Sequence, residues 1–195
     1  RKSFHSNERP LVVVIPQSGD PVAVVPNLEL RSFDLIGFEG EVFDWRDQVG
    51  YADAFAALGR ALPLRSLAVE GQIMRVFIAQ ALQNALPGLT LIDAEKEISA
   101  LRLRKTADDI AAMEKAIVIS EAALSETLEA VKPGMTEKQV ESLLLEAQFR
   151  TRAEGLAFGP IVAAADNSAR PHASARADYA IQAGDALLLD FGARV

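Results

Sequence analysis

Two residues stand out for the chemistry they could do: Asp190 in "GDALLLDFGARV" (184–195) and His172 in "DNSARPH" (166–172). A carboxylate inside an apolar run is costly to keep ionised without a partner. Position alone leaves two readings of Asp190. It is either a strand-end side chain that accepts backbone N–H bonds near the turn at Gly192, or a ligand for a hard or borderline divalent cation, held on a rigid strand. The second reading needs further ligands, because one carboxylate does not make a metal site. His172 follows a proline in a loop, where a histidine is either simply solvated or placed by the scaffold for function. Asn167 opens the same loop and reads as turn chemistry, its side chain bonding nearby backbone and so orienting His172. His5, the other histidine, is assigned no chemistry.

Composition removes several alternatives. There is no cysteine, so no disulfide, thiolate ligand or thiolate nucleophile is available, which suits a reducing, cytoplasmic setting. Acidic residues outnumber basic ones 27 to 20, for a net charge of −7. That balance argues against nucleic acid as the main partner, since phosphate neutralisation needs clustered Lys and Arg. The apolar runs are too short to cross a bilayer, and no signal-peptide pattern opens the chain. "DFG" at 190–192 matches the magnesium-binding triplet of protein kinases, but the glycine-rich phosphate loop, strand lysine and catalytic loop are missing upstream. The kinase reading is set aside.

The elements that must position these residues fall into two groups. "LVVVI" (11–15), the turn "QSGD" (17–20) and "VAVV" (22–25) predict strand, turn and strand. Tyr51, Phe55, Leu58 and Leu62 share a helical face, and "SLAVE" (66–70) reads as a strand. Ile73 to Leu86 carries a helical stripe stopped by Pro87 and Gly88, and "LTLID" (89–93) reads as another strand. Strands alternating with helices make this first part an α/β unit. Beyond a charged stretch near 95–106 the pattern changes. Thr106 with Asp109 opens a long helix, with Ile110, Met113, Ile117, Leu124, Leu128 and Val131 expected to face inward. Thr136 with Gln139 opens a second, with Val140, Leu143, Leu144 and Ala147 inward. "FGPIVAAA" (158–165) and "ALLLDFGA" (186–193) follow as an antiparallel-looking pair, completing an α+β layout.

Four stretches in this order resemble the pita-bread metallopeptidases, in the aminopeptidase P and prolidase (Xaa-Pro peptidase) branch. "EISALRLRKTADDIAAMEKA" (97–116) resembles that family's opening helix, and "VKPGMTEKQV" (131–140) the start of its second. "FGPIVAAADNSARPH" (158–172) resembles the strand and loop bearing an active-site histidine, and "GDALLLDFGA" (184–193) the strand presenting the first bridging aspartate. "ERPLVVVIPQSGDPVAVVPNLE" (8–29) resembles part of the creatinase-type N-terminal domain. The implied architecture is an α/β N-terminal creatinase-type domain (residues 1–96, incomplete at its start) followed by the first half of an α+β pita-bread catalytic domain (residues 97–195).

The resemblance implies Asp190 as a metal ligand and His172 as the residue that contacts substrate near the scissile bond. It implies two divalent ions (manganese, cobalt or zinc) in the complete enzyme, peptide substrates with proline in second position, and a homodimer. The remaining ligands would follow Val195 in the family order, so the chain by itself is expected to be inactive. Two other readings stay open. One is a creatinase-like, metal-free amidinohydrolase with His172 as acid–base group. The other is a non-catalytic pita-bread module that binds protein partners, against which Asp190 counts because such members commonly lose the ligand aspartates.

Overall fold

The computed structural model describes residues 8–195, so His5 lies outside the described residues. The chain divides into two units, the first ending at Leu103 and the second beginning at Arg104.

In the first unit, β1 (Val12–Val14) runs antiparallel to β2 (Val22–Pro26), across the expected turn. A short 3-10 turn leads into α1 (Leu30–Asp34), and β3 (Glu41–Trp45) then pairs parallel with β2, placing β2 in the centre. Every residue of β2 is buried, as expected of a central strand covered on both faces. Val22 and Val24 pack into the main core with Val14, Trp45, Phe55, Leu58, Ile78 and Leu82, while Ala23 and Val25 pack against Phe33 on the other side. α2 (Ala52–Ala61) and α3 (Val76–Ala85) supply that main core. They approach closely at Gly59, where an added Cβ would come within 2.6 Å of the Ala85 carbonyl oxygen. A separate parallel pair, β4 (Ser66–Val69) with β5 (Thr90–Asp93), leads to α4 (Glu95–Leu103). α4 is tied to the same unit by an Arg102–Glu70 ion pair of 2.7 Å.

The stretch 97–116 holds two helices, the second opening at Thr106 as its capping signal predicts. α4 stops at Leu103, and Thr106 caps a new helix, α5 (Ala107–Ala130). The reason is local. Thr106 takes an extended conformation and exchanges side chain–backbone bonds with Asp109 (3.2 and 3.1 Å), which starts a helix and cannot continue one. The same box recurs at Thr136 and Gln139 (3.2 and 2.8 Å), opening α6 (Glu137–Arg150).

The inward face of α5 differs from the expected one. Its buried residues are Ile119, Ala123 and Thr127, whereas Ile110, Met113, Ile117 and Leu128 are about half exposed; of the expected set, Leu124 and Val131 are partly buried, Val131 against the core of Val140 and Leu144. α5 carries apolar side chains on more than one face, and the face whose small residues admit a close neighbour is the one buried. α6 meets the expectation at Val140, Leu144 and Ala147, all fully buried, while Leu143 is only partly buried.

The C-terminal strands are shorter and more broken than expected. β6 (Gly155–Leu156) pairs antiparallel with β9 (Ala193–Arg194), and β7 (Ile161–Ala164) with β8 (Leu187–Asp190). Between the two pairs, residues 157–160 oppose only Phe191 and Gly192, so the pairing is interrupted by a bulge beside Asp190. Ser120 on α5 holds β9 by accepting the Ala193 amide at 3.1 Å.

Candidate active site

The β7–β8 ribbon positions both residues singled out for chemistry. Its pairing runs from Ile161 opposite Asp190 to Ala164 opposite Leu187. Side chains alternate across a strand. Val162, Ala164, Leu187 and Leu189 pack against Val140 and Leu144 of α6, so Leu188 and Asp190 fall on the opposite face. Both are exposed. The premise that the Asp190 carboxylate lies buried in an apolar strand therefore fails for this chain. Strand alternation turns it out of the apolar layer that Leu187 and Leu189 enter.

The loop bearing His172 leaves the other end of the ribbon. Three residue steps, about 10 Å of strand, separate the pair at Asp190 from the pair at Ala164, where the loop begins. Residues 165–169 form a 3-10 turn, and His172 itself is exposed with φ 55°. Ala165, at the loop's root, has φ 51°.

What anchors this loop is a buried carboxylate that local sequence patterns do not single out. Glu137, the first residue of α6, is fully buried. One of its oxygens accepts the Ala164 amide (2.8 Å) and Arg176 Nη2 (2.9 Å); the other accepts Asn167 Nδ2 (2.9 Å) and the Arg176 amide (2.7 Å). Asn167, also buried, gives a second bond to the Ser174 carbonyl (3.1 Å). Its turn chemistry thus reaches across the loop, and its other partner belongs to α6. Burial opposes ionisation of Glu137. The Arg176 guanidinium, the Ala164 and Arg176 amides and the Asn167 amide together outweigh it, and the carboxyl is held below its ordinary range.

Arg176 continues the network outward. Its guanidinium lies 4.3 Å from the Tyr179 ring centroid and 3.1 Å from Asp166. The bond from Arg176 to Glu137 raises the guanidinium's already high pKa. Tyr179 donates its hydroxyl to Asp185 (2.7 Å), which also accepts the Gln182 amide (2.8 Å). These bonds hold the Asp185 carboxyl below its ordinary range, and the Asp185 bond pushes the Tyr179 hydroxyl up. Asp185 closes the turn before β8, in which Gly184 takes φ 95°, a conformation open to glycine.

Among the described residues no group of three or more His, Cys, Asp or Glu side chains is placed to hold a metal ion. The donor set in this chain is one solvent-facing carboxylate on a rigid strand. It fits as a single ligand of a larger set and does not make a two-ion centre. A concavity of about 620 Å³ in the first unit, lined by Asp20, Glu39 and Glu41 among others, contains neither His172 nor Asp190. No helix among the described residues is long and apolar enough to cross a membrane.

Comparison with known proteins agrees with this layout. Residues 4–104 match the creatinase/prolidase N-terminal domain, and residues 111–195 match metallopeptidase family M24. The Xaa-Pro dipeptidase of Pyrococcus furiosus is 34% identical over 96 residues, covering 49% of this chain and 27% of that protein. The uncharacterized peptidase YqhT of Bacillus subtilis is 27% identical over 187 residues, covering 90% of this chain and 49% of that protein. Among solved structures, a prolidase from Thermococcus sibiricus superposes with a TM-score of 0.87 at 26% identity, over 100% of this chain and 53% of that one. A dipeptidase from Pyrococcus horikoshii OT3 gives 0.84 at 25% identity, over 98% and 52%.

The chain belongs to the creatinase/prolidase family, with a creatinase-type N-terminal domain and part of an M24 metallopeptidase domain. It spans about half the length of the curated relatives it matches.

Proposed function

We propose that this chain is part of a metal-dependent peptidase that removes an N-terminal residue next to proline, as an Xaa-Pro aminopeptidase or dipeptidase. The observation that carries this reading is the M24 match over 111–195, within which one ribbon holds Asp190 at its end and the His172 loop at its root. Asp190 serves as one ligand of a dinuclear centre of manganese, cobalt or zinc, whose Lewis acidity makes water nucleophilic near neutral pH and polarises a peptide carbonyl. The chain's own part is to hold that carboxylate on the open face of β8. It also presents the His172 imidazole to the substrate, where it hydrogen-bonds the oxygen on which charge develops. A homodimer and a cytoplasmic setting belong to the same reading.

The test is hydrolysis of Ala-Pro or Gly-Pro. The complete enzyme is expected to cleave these peptides and to lose activity to a chelator, while residues 1–195 alone leave them intact. Chelator-sensitive cleavage by residues 1–195 alone overturns the placement of the ligands. Chelator-insensitive activity of the complete enzyme favours the metal-free amidinohydrolase instead.

A further inference from the structure

The loop 167–176 has both ends on one side chain. Asn167 at its start and Arg176 at its finish converge on the buried Glu137 carboxylate, and the Ala164 amide just before the loop does the same. Asn167 also spans the loop to the Ser174 carbonyl. A surface loop whose ends meet in this way is closed at its base. Within and beside it, Ala165 and His172 hold left-handed backbone conformations that non-glycine residues avoid, at φ 51° and 55°. Such conformations persist where surrounding contacts over-determine them, and they cluster at sites where geometry matters for function. A network this buried does not need a histidine at its tip to stabilise the fold. What it adds is a fixed position for the residue the loop carries.

We propose that Glu137 is a positioning residue for His172: it clamps Asn167 and Arg176 together, closes the loop's base, and so fixes where the imidazole stands over the substrate. This rests on the peptidase reading of His172; the clamp itself does not. Glu137 touches no substrate and acts through the loop.

Two experiments separate these layers. In the metal-loaded complete enzyme, Glu137→Gln, His172→Ala and the double variant are compared on Ala-Pro. Loss of the carboxylate is expected to lower kcat by up to about 100-fold, the scale of a misplaced catalytic group, with metal content unchanged. In the His172→Ala background the same substitution should cost less than about threefold. Equal losses in both backgrounds overturn the proposal, because Glu137 would then act on something other than His172. Asn167→Ala, which frees one end of the loop and leaves the ion pair, should repeat the pattern more weakly even if Glu137→Gln folds poorly.

In residues 1–195, amide hydrogen exchange reads the clamp directly. Glu137→Gln should lose more protection at the Ala164 and Arg176 amides than in α6 and the rest of β7–β8, which fall only with the stability of the unit; a loss there no greater than elsewhere overturns the clamp. A wild-type enzyme inert toward Xaa-Pro peptides, with exchange behaving as described, rejects the peptidase reading and retains Glu137 as the loop's anchor.

Discussion

Replacing Glu137 by Gln keeps the volume and removes the charge, and its cost can be worked from the contacts. The carboxylate has no exposure, and the Arg176 side chain is 25% exposed. The variant therefore leaves a guanidinium only partly open to water. It also turns an amide NH2 group towards donors that need an acceptor. Breaking a buried pair by removing one partner costs about 3–5 kcal/mol; the partial hydration of Arg176 puts the expected loss near the lower figure, about 3 kcal/mol. At a urea slope of about 1–3 kcal/mol per molar, the unfolding midpoint of the second unit falls by about 1–3 M.

The assay separates the units with little effort. The single tryptophan, Trp45, lies in the first unit, so its fluorescence should not move while the helical signal of α5 and α6 does. The effect is also tied to pH. Because the Glu137 carboxyl sits below its ordinary value of 4.5 in the fold, its contribution is complete at neutral pH. It is lost as the pH falls below that value and through the folded pKa. Arg176 stays charged throughout, and Asp166 is the other carboxylate facing it. Wild type and variant should therefore differ at pH 7 and converge in acid. Equal midpoints at pH 7, or a gap that persists undiminished below pH 3, refute this account of the network.

Other substitutions probe the remaining assignments. Asp190→Asn in the complete enzyme should lower metal content and activity together. In residues 1–195 it should change stability by less than about 0.5 kcal/mol, since the side chain is exposed; metal analysis and urea titration check the two halves. His172→Ala should lower turnover of Ala-Pro and leave metal stoichiometry intact, as measured on the same preparation. On α5, Ile117→Ala should cost less than about 0.5 kcal/mol, whereas Leu144→Ala on α6 should cost about 2–5 kcal/mol. Comparable losses at both positions contradict the described burial.

What could be read from residue order is what depends on neighbours in the chain. Both capping boxes, the β1–β2 hairpin and the antiparallel return of the last strands follow from side chains a few positions apart. β3 was not visible in this way: "EVFDW" carries two acidic residues, and what makes it a strand is pairing along β2. α1 is five residues long and has no side-chain cap. The periodicity of α5 marked a broad apolar surface without saying which part meets a neighbour. Asp190 looked embedded because "LLLD" reads as one run, although a half-buried strand sends alternate residues to opposite faces. Glu137 was the least legible. At the start of a helix an acidic side chain is expected simply for its favourable interaction with the helix dipole, and its partner Arg176 lies 39 positions away.

The peptidase reading depends on Asp190 ligating a metal ion. Anomalous scattering at the manganese edge, from crystals of the complete enzyme grown with manganese, tests it most directly. Anomalous peaks in contact with the Asp190 carboxylate are the expected result. Well-ordered density that leaves this side chain among water and main-chain amides, with the anomalous signal elsewhere or absent, would contradict it.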